Sequence, residues 1–181
     1  ADLVNRKLFF WYNADSMISI RAATYSSSSS SRTLSLGNGV VAVGAARNKT
    51  SIAYDINSGA VITSHQEPSS GEYMRILRWT VSGTTLSYSN ALNLSNTSSI
   101  KDWAKLLYVP NINRVLISGG AGSGGNDVAL LDCSSGVSQG TAGSTTSSSI
   151  NLHYNDKHMH YNEGINRVVR VAGIGSSNSN M

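Results

Sequence analysis

The sequence predicts an all-β protein of tandem four-stranded units of about 53 residues, β-propeller-like or stacked antiparallel sheets. Three observations carry this reading. One segment recurs at a fixed spacing, the polar clusters within it are turn formers, and no window supports a helix.

The recurrence is clearest between Leu107-Tyr108-Val109-Pro110-Asn111-Ile112-Asn113-Arg114-Val115-Leu116-Ile117 and the segment His160 to Arg170. The two align at Tyr108/Tyr161 and through Asn-Arg-Val, an offset of 53 (161 minus 108). Gly120/Gly173, Gly122/Gly175 and Ser123/Ser176 keep the same offset. A looser copy runs from Ala53 to Thr63, and the weakest from Trp11 to Ile20. In each copy an apolar strand ends in Tyr, a polar cluster turns the chain, and a β-branched run returns, which is the pattern of a hairpin. Asn, Asp and Gly belong in the cluster because they tolerate the left-handed backbone that tight turns need.

A second hairpin follows. Met74 to Thr80 leads through Val81-Ser82-Gly83 into Thr84 to Tyr88, and Asp127 to Asp132 leads through Ser134-Ser135-Gly136 into a weaker strand. Two hairpins make four strands per unit. The chain reads as one repeat domain over residues 1–181, with units near 1–50, 51–73 leading into 74–126, and 127–181. The last unit is half complete, so an open sheet edge is expected, closed by the first strand, by a neighbouring subunit or by further chain. The one candidate helix, Ser99 to Leu107, aligns with a strand in its repeat partner and is read as a strand. Ser26–Ser31, Gly119–Gly125 and Ser144–Ser149 are expected to be surface loops.

Composition narrows the function classes. Charged residues are 13% of the chain against about 25% in ordinary soluble domains, so uncharged polar groups carry the solvation. The 40% hydrophobic content supplies the apolar surface a disordered chain lacks. The net charge of +4 is scattered singly, with no basic run to track a phosphate backbone, so nucleic acid is not an expected partner. One cysteine, Cys133, allows neither an intrachain disulfide nor cysteine ligation of zinc. No apolar run is long enough for a membrane helix, and the chain is expected to be soluble without membrane insertion.

No constellation points to catalysis or to a cofactor. Gly119 to Gly125 lacks the Lys-Ser/Thr ending and following helix of a phosphate loop. Asp55, Asp127, Asp132 and Asp156 fall at hairpins, where Asp is a default turn residue rather than half of a glycosidase pair. Trp79, Trp103, Tyr108 and Tyr161 are the candidate binding residues, since exposed aromatic rings stack on sugars, although strand positions favour packing. His158 and His160 would share one face of a strand, which makes them the candidate metal ligands; the plainer reading is half-exposed strand residues beside Tyr161.

Trp79-Thr80-Val81-Ser82-Gly83-Thr84-Thr85-Leu86-Ser87-Tyr88-Ser89-Asn90-Ala91, followed by polar residues, a strand ending in Tyr, a turn and a basic-Val-Val strand, resembles a repeat of tail fibres and related virion appendages of tailed bacteriophages, particularly those of aquatic bacteria. Residues 74 to 126 follow this order, residues 127 to 178 follow it with a degraded Val-Ser-Gly-Thr element, and residues 1 to 50 match poorly. The resemblance implies a non-enzymatic virion structural protein, part of a tail fibre or knob or a capsid-surface decoration, acting in host attachment or particle stabilisation. It implies localisation on the virion surface after assembly in the host cytoplasm. Other virion proteins, copies of the same chain and a host-surface glycan are the implied partners, and phage His-x-His sites lend the histidine pair its precedent. The alternative is a carbohydrate-binding lectin with one sugar site per repeat.

Overall fold

The computed structural model describes residues 5–14, 17–28, 31–43, 50–67, 73–94, 102–120, 126–144 and 158–171. Every regular element among them is a strand, apart from a single 3-10 turn at Pro110–Ile112. The first sheet holds β1 (Lys7–Ala14), β2 (Met17–Ser27), β3 (Arg32–Leu36) and β4 (Val40–Val43). Here β3 and β4 lie end to end along the same edge of β2, interrupted at Gly37-Asn38-Gly39. A Cβ on Gly37 would collide with the Thr84 carbonyl of the next sheet, so glycine is what lets the strand break there.

The second sheet is an antiparallel meander of β5 (Thr50–Asp55), β6 (Ala60–Gln66), β7 (Met74–Ser82) and β8 (Thr85–Leu94). The third repeats it with β9 (Asp102–Val109), β10 (Arg114–Gly120), β11 (Asn126–Asp132) and β12 (Ser138–Ser144), and β13 (His158–Asn162) pairs with β14 (Arg167–Val171) as the opening hairpin of a fourth. The expected all-β architecture of tandem four-stranded units is therefore observed. The form it takes is stacked sheets, with no closed ring among the described residues.

The sheets divide the chain at a different phase from the sequence units. Each sheet starts at its Tyr-bearing strand, so residues 74–126 span the second half of one sheet and the first half of the next. The Ser99–Leu107 segment is a strand from Asp102 onward. All three expected loops begin as strand instead: Ser26 and Ser27 close the β2–β3 ladder, Gly119 and Gly120 close that of β10 and β11, and Ser144 ends β12 opposite Asp127. Residues 121–125 and 145–149 lie outside the described residues.

Packing runs face to face through the stack. Ile20 and Ala22 of the first sheet meet Val61, Leu77, Trp79 and Leu86 of the second, with Phe9 stacked on Tyr54 at 5.2 Å between ring centroids. The other face of the second sheet, with Ile62, Met74 and Ile76, meets Leu106, Val115, Ile117 and Leu131 of the third. β6 is consequently buried along its whole length, including Thr63, Ser64, His65 and Gln66. Such a strand cannot show the apolar-polar alternation of a one-sided sheet, and its buried polar groups need partners in the neighbouring strands and sheets. Thr63 accepts a 2.9 Å hydrogen bond from Trp79 Nε1.

Units two and three are also joined by polar contacts. Arg78 is buried; its Nε donates to the Cys133 carbonyl at 2.9 Å and its NH2 to the Ser134 carbonyl at 3.1 Å. Val137 N donates to Asn90 Oδ1 at 3.2 Å, and Leu106 N to Ser51 Oγ at 3.0 Å.

Two outcomes follow from this core. Ile62→Ala, at a fully buried site between sheets, lowers unfolding free energy by about 2–5 kcal/mol in urea denaturation. Burial holds the pKa of His65 below its ordinary 6.5, opposed by Glu67, whose Oε2 accepts from His65 Nε2 at 3.4 Å; Arg75 pairs with the same carboxylate. As pH falls below 6.5 the unfolded chain takes up a proton that the folded chain refuses, so stability declines down to the folded pKa. His65→Gln makes that acid limb shallower in thermal melts recorded across pH.

Candidate functional site: the rim of repeated turns

The four Tyr-bearing hairpins share one register at their tyrosines. Tyr12 pairs with Ser19, Tyr54 with Val61, Tyr108 with Val115 and Tyr161 with Val168, in each case the residue seven positions downstream. The duplication expected from Tyr108 and Tyr161 holds to the level of single atoms. Tyr108 Oη donates to Asn113 Oδ1 at 3.0 Å and Tyr161 Oη to Asn166 Oδ1 at 2.8 Å, with Asn113 at φ 50° and Asn166 at φ 49°. Gly59, at φ 65°, fills the left-handed place in the second unit, where Asp55 accepts from the backbone N–H groups of Asn57 and Ser58.

At the tip of each described turn stands an exposed isoleucine: Ile56, Ile112 and Ile165, between 49% and 61% exposed. The turns of the second and third sheets lie at the same end of the stack: Leu106 sits beside Ser51, and Tyr108, two residues further along β9, meets the Asp55 carboxylate of the preceding hairpin. Burial first, and that carboxylate second, hold the Tyr108 hydroxyl above its ordinary pKa. Arg114, after the left-handed Asn113, donates to the Asn113 carbonyl and pairs with Asp132 at 3.0 Å; Arg167 follows Asn166 in the next turn and is exposed. The result is three exposed isoleucines on the described Tyr-bearing turns, with tyrosine hydroxyls bracing the turns of Ile112 and Ile165.

The aromatic candidates are dispersed. Trp79 is 2% exposed, bonded to Thr63 and edge-on to Tyr88 at 5.9 Å, so its ring is core and not a stacking platform. Tyr108 and Tyr161 are half-buried with their hydroxyls committed to the turn asparagines, which makes them braces of the rim. Trp103 lies on β9, but its side chain is outside the described residues. His160 is exposed on β13 opposite Val169; the His158 side chain is outside the described residues, and no group of three or more metal-ligating side chains occurs among those described.

No family model, curated protein or solved structure matches the chain. The arrangement itself must therefore carry the reading. Burial pushes the Cys133 thiol up to about 12, which keeps it protonated, and the Ser134 N–H and hydroxyl hold Asp132 below the usual carboxylate range. Asp55 and Asp132 each close their own turn. Asp127 and Asp156 have side chains outside the described residues.

On the first sheet, a groove of about 590 Å³ opens along β1, lined by Phe10, Tyr12, Arg21, Leu34 and Leu36 among others. Sequence reasoning missed both the isoleucine tips and this groove. The tips had a legible signal, an apolar residue inside a polar turn cluster, at the same offset of 53 in Ile112 and Ile165.

The turn geometry makes a sharp expectation. Asn113→Gly keeps the left-handed conformation and loses only the Tyr108 acceptor, a cost of about 0.5–1.5 kcal/mol, whereas Asn113→Val loses the same bond and also forces a β-branched residue into that region, adding about 1–3 kcal/mol in chemical denaturation.

Proposed function

We propose that this chain is a non-enzymatic virion surface protein, a tail-fibre or knob module or a capsid decoration, that acts through multivalent contacts made by its repeated rim. The carrying observation is the set of exposed isoleucines on the Tyr-bearing turns, Ile56, Ile112 and Ile165, the last two on turns braced in the same way by a tyrosine hydroxyl. Groups presented in this manner engage a repetitive partner such as an envelope or a shell lattice. Each contact is weak, because a single isoleucine side chain buries little area, on the order of 1.5–3 kcal/mol at most. Repetition along the stack and across copies on a particle turns such contacts into firm attachment. The resemblance of residues 74 to 126 to phage appendage repeats supports placing the chain on a virion.

The experiment is particle imaging with labelled antibody, joined to attachment assays. The chain is expected on the particle exterior in many copies. Single substitution of Ile56, Ile112 or Ile165 by Ser changes attachment or shell retention little, whereas the triple variant lowers it by roughly 10²-fold or more. Purified particles lacking the chain would sink the reading. A triple variant with full attachment, together with saturable glycan-array binding at one sugar per repeat, would replace it with the lectin alternative.

A further inference from the structure

The faces of the sheets have a direction. Tyr54 marks the face of the second sheet that meets the first, and Tyr108 marks the face of the third that meets the second. The opposite faces, through Ile20 and Ala22 in the first sheet and Ile62 and Ile76 in the second, receive them. Contact between units is thus one interface used twice, a Tyr-marked face seated on an unmarked one.

In the first sheet the Tyr-marked face has no such seat among the described residues. Tyr12 pairs with Ser19 and Ser19 with Val41; Phe10 pairs with Arg21, and Ala23 with Leu36. Directly paired residues share a face, so Phe10, Leu34, Leu36 and Val41 lie together, 40%, 49%, 55% and 53% exposed. Four large apolar side chains exposed on one sheet face form a contiguous patch of the kind that marks an interaction site. Arg21 stands among them without an ion pair among the described residues. At the far end, β13 packs on β9 through its Tyr161 side, and the unmarked side, with His160 and the 43%-exposed Val169, is open.

We infer that the Tyr12 face of the first sheet is the docking surface for a second copy of this chain, which seats its β13–β14 face there. The occupant follows from continuity with the two interfaces already present: the open half at each end is the complement of the open half at the other. Both halves are exposed in the same molecule, so among the described residues the chain does not close on itself. Because the two faces differ, the contact is head to tail, and it produces a ring or an open stack rather than a two-fold dimer. This inference stands apart from the virion reading and is tested on the purified chain alone.

Light scattering coupled to size-exclusion chromatography, over a wide concentration range, is expected to report masses that rise above the monomer. Leu36→Lys places a charge in the head face and Val169→Lys one in the tail face; each alone weakens self-association by about a hundredfold or more. Both sites are exposed, so circular dichroism and melting temperature stay near the parent values; should Leu36→Lys misfold, Leu34→Ser serves in its place. Mixed together, the two variants each keep one intact face and form a heterodimer that grows no further. Ile56→Lys, on the rim, leaves assembly unchanged. A monomer at every concentration overturns the inference, as does assembly that survives Val169→Lys or a mixture of the two variants that stays monomeric.

Discussion

The structure depends on the burial of β6 from both sides. A strand covered on one face can hold a hairpin together, but a strand covered on two ties three sheets into one cooperative body. Val61 and Thr63 look toward the first sheet's side while Ile62 looks toward the third, and Trp79 fixes the first arrangement by donating to Thr63. Polar residues in such a place cost stability unless partnered, which accounts for the side-chain links from Trp79 and Glu67 into β6.

The rim is a by-product of this stacking. Sheets that mate Tyr-marked face to unmarked face in constant register bring equivalent turns to one end, and whatever residue tops the turn is repeated with them. Tyrosine braces two of the turns from inside, the Tyr108 and Tyr161 hydroxyls each donating to the asparagine that takes the left-handed conformation, while glycine takes that place in the second unit. The tip is then relieved of structural duty and can vary with the partner.

Much of this was legible in the residues, and the limits have physical causes. The Tyr-to-turn hairpins were readable because local turn chemistry specifies them, and their offset of 53 survives in the coordinates. The phase of the sheets was not, since β-pairing partners are set by packing between strands, and a meander can be cut at any hairpin without changing the local pattern. Trp79 could equally have been surface or core from its strand position; the Thr63 acceptor that settles it lies across the sheet, sixteen residues earlier. The aromatic groove was hidden because the first unit diverges from the others, with a broken third strand in place of a second hairpin.

Arg78 carries a consequence for how such a chain can evolve. Its guanidinium is sealed at the junction of two units with no carboxylate in ion-pair reach among the described residues, and backbone carbonyls of the turn at Cys133 and Ser134 are what it binds there. Those carbonyls exist only where a turn of that shape follows. A genetic exchange that set a different module after the second would strand a cation in the dry seam, and leaving a buried charge uncompensated costs about 3–5 kcal/mol. The modules look alike, yet their order is locked, and lengthening the array is cheaper at its ends than in its middle.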